Sequence, residues 1–128
     1  MMKCVGLQSG KISEVRQDKG VFVIKFQSEE GYSDTLHWNR ESPQLKDLGK
    51  LIGANTPRPQ EWVGTRVQLF MGPDLGGKAV MLYGIAAAAG TLFIVPDYIF
   101  DIINYTPEKQ FFDRSDVEEI LEQTEDLL

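Results

Sequence analysis

The chain has one cysteine and one histidine among its 128 residues. A lone thiol, Cys4, cannot close an internal disulfide, and that suits a reducing cytoplasm. With His37 as the sole imidazole, neither a Cys/His zinc cluster nor an HExxH pair can be assembled. A Ser-His-Asp site would have to use His37, and no GxSxG elbow accompanies it. Gly76-Gly77-Lys78 fails the phosphate-loop frame in spacing and in the missing hydroxyl. The carboxylates do not fall at EF-hand spacing. No enzymatic activity, metal or cofactor is expected on these grounds. Long apolar runs are lacking too. The best candidate, residues 80–95, is rich in Ala and broken by Gly84 and Gly90, short of the roughly 20 residues a membrane helix needs. Met1 and Met2 lead into Lys3 and Cys4 without an apolar stretch, so neither a secretory signal nor a membrane partner is expected.

What is present is enough for one domain with a core. Hydrophobic residues make up 42%, a globular share that excludes wholesale disorder. The net charge of −6 is unevenly distributed: residues 1–89 carry 11 Lys/Arg against 9 Asp/Glu, and residues 90–128 carry 2 against 10. The chain thus divides into a mildly basic body, 1–89, and an acidic C-terminal extension, 90–128.

The body reads mainly as β. Residues 5–15 mix apolar and polar positions around Gly6 and Gly10, a pattern of bulges or bends in a strand. Asp18-Lys19-Gly20 is a turn, and the β-branched, aromatic run at 21–26 is a second strand. Glu29-Glu30-Gly31 turns again into a third, 32–39, with Tyr32, Leu36 and Trp38 on one face and Ser33, Thr35, His37 and Asn39 on the other. Ser42 and Pro43 then open a helix whose Leu45, Leu48 and Ile52 share a side, ended by Gly53. Fourth and fifth strands follow at 66–71 and 78–85, joined by a glycine-rich loop. In the extension, residues 92–95 suit an added strand, and 96–104 fit either a short helix or an extended segment. Ser115 with Glu118 predicts a capped final helix bearing Val117, Ile120, Leu121 and Thr124 on one side.

Three stretches give this pattern a resemblance. They are Gly10-Lys11-Ile12 leading into 21–26, the helix from Leu45 to Gly53, and Glu61-Trp62-Val63-Gly64-Thr65-Arg66-Val67. Over residues 5–85 the chain resembles small OB-fold proteins of phage and prophage replication and recombination modules. That resemblance implies a five-stranded OB-fold barrel with a helix between strands three and four, followed by a C-terminal helical appendix. It also implies binding of single-stranded nucleic acid, DNA first, without sequence preference, in a host-cell cytoplasm if phage-encoded. An acidic C-terminus resembles the tails that recruit replication or recombination proteins. Here the chain ends Thr124-Glu125-Asp126-Leu127-Leu128 and joins a helix, a departure from a free tail.

Single strands are held by cations and aromatic platforms, on OB-folds at strands two and three and the flanking loops. The candidate contacts are therefore Lys11, Arg16, Lys25, Tyr32, His37, Trp38, Arg40, Phe70, Lys78 and Tyr83. Phe22 and Phe26, which alternate with Ile24, are core, either Tyr32 or Trp38 fits the core equally well, and Trp62 plugs a barrel end. The rival expectation is a protein-interaction module, a phage inhibitor or adaptor. Its final helix would dock a partner, or a second copy in a homodimer, through Val117, Ile120, Leu121, Leu127 and Leu128. Packing of that helix on its own barrel is the plainer alternative.

Overall fold

A computed structural model of the protein describes residues 6–54, 58–74, 76 and 79–127. Lys78, Leu128 and Cys4 lie outside the described residues. The fold is mainly β: six antiparallel strands form one curled half-barrel sheet, accompanied by three α-helices. In chain order these are β1 (Gly6–Asp18), β2 (Val21–Ser28), β3 (Ser33–Asn39), α1 (Pro43–Leu51), β4 (Arg66–Pro73), β5 (Val80–Ala87), β6 (Phe93–Ile94), α2 (Asp97–Ile102) and α3 (Arg114–Glu125). A 3-10 turn, Pro59–Trp62, precedes β4. The spatial order is β3-β2-β1-β4-β5-β6.

The thirteen-residue β1 serves both halves of this sheet. Its second half pairs with β2 and its first with β4, and Gly10 and Lys11 pair with both. A bulge between Ile12 and Glu14 turns the strand as it changes partner. Gly10 is required by crowding: a Cβ there would lie 2.5 Å from the Gln27 carbonyl oxygen and 2.6 Å from Leu69 Cδ1. Period-two alternation then fills the interior. Phe22, Ile24 and Phe26 from β2 meet Leu36 and Trp38 from β3, with Val67, Leu69 and Met71 of β4 opposite. Leu45 and Leu48 of α1 and the Trp62 ring close one end of this core.

The seam between β3 and β5 is closed by side chains. The Asp34 carboxylate accepts the Leu82 N–H at 2.8 Å, and the Tyr98 hydroxyl sits 3.0 Å from the same oxygen and 2.8 Å from the Leu82 carbonyl. Both backbone groups of Leu82 are thus satisfied by side chains. Burial, with the Asp34 charge beside it, holds the Tyr98 phenol well above the usual tyrosine range, so it remains a donor. Gln44 on α1 makes a second tie. Its side-chain oxygen accepts from Trp38 Nε1 at 3.1 Å and from the Asp97 N–H at 3.2 Å, and its amide donates to the Val95 carbonyl at 2.6 Å.

Residues beyond β5 build a second apolar layer on the outer face of β4 and β5. Phe70, Tyr83 and Phe93 pack there with Ile99 and Phe100 of α2 and Val117, Ile120 and Leu121 of α3. Small residues let α3 approach: a Cβ on Gly72 would lie 2.7 Å from Leu121 Cδ1, and one on Gly84 3.3 Å from Val117 Cγ1. The α3 cap differs from the Ser115/Glu118 expectation. Asp113 accepts the Asp116 N–H at 2.8 Å, and Asp116 accepts the Asp113 N–H at 3.2 Å. The reciprocal box starts two residues earlier because Arg114 already begins the helix. Residues 96–104, left open between helix and extended chain, contain α2. Among the described residues no helix is long and apolar enough to cross a membrane.

Candidate functional site

Between α1, the 3-10 turn and the adjoining ends of β1 and β2 lies an open groove of about 950 Å³. Its floor is Phe22, Leu45, Gly49 and Trp62, and its rim carries Arg40, Lys46, Lys50 and Arg58 against a single acid, Glu61. Local structure fixes each of these. Arg40 follows β3, where its N–H donates to the Gly20 carbonyl at 3.0 Å and ends the hairpin. Lys46 and Lys50 stand one turn apart on the exposed side of α1, whose opposite side is buried through Leu45 and Leu48. Gly49 costs α1 about 1 kcal/mol against alanine, and its place is explained by Trp62, whose Cζ2 would lie 3.0 Å from a Cβ there. Gln60 donates to Gln17 at 3.1 Å and ties the 3-10 turn to β1.

Charge of one sign dominates the rim. Lys46 and Lys50 repel at i,i+4, a cost of about 0.2–0.5 kcal/mol. Among the described residues no ion pair engages Arg40, Lys46 or Lys50. An anion seated between them relieves that repulsion. The rings of the floor are buried, Phe22 at 6% and Trp62 at 4% exposure, so they offer edges more than stacking faces.

The expected nucleic-acid contacts part into three sets. Lys11, Arg16, Lys25 and His37 do share the outer face of β1, β2 and β3, with Val23 held between Arg16 and His37 in register. Arg16 is there answered by Glu14 at 3.6 Å. Arg40 belongs to the groove. The aromatic expectations need correction. Trp38 points into the barrel, edge-on to Phe26 at 6.5 Å, because it follows the parity of Leu36. Phe70 and Tyr83 do face outward from β4 and β5, but α2 and α3 cover that face, and Tyr83 donates to the Pro73 carbonyl at 3.0 Å. Tyr32 is the exposed ring of the set, in the turn that also carries Glu29 and Glu30. Lys78 falls outside the described residues. The docking helix is corrected as well: Val117, Ile120 and Leu121 are buried against their own sheet, while Leu127 is exposed and Leu128 lies outside the described residues.

Lys46, Lys50, Arg58 and Gln60 were missed as a site. The i,i+4 repeat of lysines opposite Leu45 and Leu48 was the available signal; Arg58 and Gln60 gave none, since a 3-10 turn brings them in. Among the described residues no three His, Cys, Asp or Glu side chains gather as a metal site. No protein-family description, curated protein or solved structure matches the chain.

Proposed function

We propose that this protein is an OB-type binding module that holds single-stranded nucleic acid, DNA first, chiefly by its phosphates. The order β1-β2-β3-helix-β4-β5, with β1 shared between both halves of a curled sheet, supports the OB-type reading. The observation that carries the functional reading is the groove rim, where four basic side chains face one acid in a chain of net charge −6. Concentrating cations at one cleft of an acidic protein favours a polyanion and focuses it there. A floor without exposed rings makes the grip electrostatic and indifferent to base identity.

The test is fluorescence anisotropy of a labelled oligothymidylate at low and at physiological salt. Binding should weaken steeply with salt, and a Lys46→Gln/Lys50→Gln double variant should bind about tenfold more weakly at low salt while folding normally. Absence of binding at low salt overturns the reading. It would favour the protein-interaction module.

A further inference from the structure

A second cationic feature lies across β1 and β4. Lys11 and Arg66 are direct register partners on the outer face of the sheet. Like charges in that relation repel and destabilise a strand pair. Among the described residues neither makes an ion pair. They border an open notch of about 560 Å³ with Gly10, Gly64, Ser28 and Glu29, of which Glu29 is the one acid. The exposed Gly64 carries no side chain over the notch, so an anion can come close to its backbone.

The notch and the groove both adjoin the segment that runs from the 3-10 turn into β4, the groove at Pro59 to Trp62 and the notch at Gly64 and Arg66. The turn after Trp62 is bonded to β1 on both sides of Ile12: the Gly64 N–H donates to the Ile12 carbonyl at 2.8 Å, and the Ile12 N–H to the Thr65 carbonyl at 3.0 Å. Along β1 the groove is reached at Gln17 and the notch at Lys11. At roughly 3.3 Å per residue that separation is about 20 Å, a span of a few nucleotides within the roughly 4–16 that one OB-type unit covers. Between them Arg16 is paired with Glu14, while Lys25, the register partner of Glu14, adds a further cation on the same outer face.

We infer that Lys11 and Arg66 form a second phosphate station, which holds the continuation of the strand seated in the Arg40–Lys46–Lys50 groove. The inference rests on the nucleic-acid reading and adds a track along β1 and the 3-10 turn. It makes affinity depend on length: a short strand fills the groove alone, and a longer one reaches the notch.

Anisotropy titrations with oligothymidylates of about four and about twelve nucleotides test this. The proteins are the full chain, Lys11→Gln, Arg66→Gln and Lys50→Gln. The longer oligomer should bind the full chain more tightly, and Lys50→Gln should weaken both. Lys11→Gln and Arg66→Gln should each shrink the advantage of the longer oligomer about threefold or more and flatten its salt slope by about one. Circular dichroism should show both variants folded, with unchanged or raised melting temperature, since each removes a repulsion. If the full chain binds both oligomers, Lys50→Gln weakens both, and Lys11→Gln and Arg66→Gln keep the wild-type length advantage, the second station is overturned while the groove stands. If the full chain binds neither, the nucleic-acid reading itself has failed.

Discussion

Asp34 looks in the sequence like any acid on a half-polar strand, yet its inward parity puts it with Leu36 and Trp38. Its carboxylate holds the Leu82 N–H and the Tyr98 hydroxyl together, and its other oxygen accepts the Thr35 N–H at 2.8 Å. Hydrogen bonds to a charged group contribute about 1.5–3 kcal/mol, and a part-buried donor left unmade costs about as much. Asp34→Ala should therefore lower stability by about 2–3 kcal/mol in urea unfolding; a loss under about 0.5 kcal/mol would refute its closing role. Gly10→Ala forces a Cβ against the Gln27 carbonyl and Leu69, and overpacking of this kind costs about 1–3 kcal/mol. Asp97 makes the opposite case. Asp97 is exposed, yet partial desolvation of its carboxyl, and then the nearby Asp101 charge, raise it above the usual aspartate range. A folded pKa above the unfolded one means that the native state holds more protons in that window. The ionised group thus opposes folding above the raised pKa, and the penalty fades as pH falls through it. Asp97→Asn should raise the melting temperature at neutral pH, and the gain should shrink toward acid pH; a pH-independent gain would point to another cause.

Individual elements were legible where one face is polar and the other apolar. β3 shows that alternation, and α1 shows its three-and-four spacing between Ser42-Pro43 and Gly53. Elements buried on both faces were harder to read. The cover of Phe70, α3, comes some forty residues later in the chain. Val117, Ile120 and Leu121 read equally as docking anchors or as packing on their own barrel, and the structure has them packed there. The groove was half legible: α1 displays Lys46 and Lys50, but only the fold brings Arg40 and Arg58 to the same rim. For α3 itself, loss of the Asp113 cap by Asp113→Ala should cost about 1 kcal/mol in thermal unfolding. Ending the chain at Tyr105 removes α3 and bares Phe70, Tyr83 and Phe93, so that shortened protein should unfold or aggregate, as read by its circular dichroism and light scattering.

For the whole molecule, charge and architecture are partitioned in the same way. The cations of the groove and the notch stand at α1, the 3-10 turn and the β1–β4 pair, while α3 turns Glu118, Glu119 and Glu122 outward beside β4 and β5. The acidic helix is thus anchored by its apolar side on the outer face of β4 and β5. Single strands should show a salt slope of about −0.7 for each phosphate neutralised, so Arg40, Lys46 and Lys50 predict about −2 in a log–log plot; a slope near zero would refute phosphate-led binding. The seam between β3 and β5 carries a different consequence. Where neighbouring strands elsewhere are stitched by rows of amide bonds, this join is one carboxylate and one phenol. The wall can part there with every stitched row intact, so the Leu82 amide should exchange its hydrogen for deuterium well before those of Leu69 and Ile24, and the tube should breathe as a split collar.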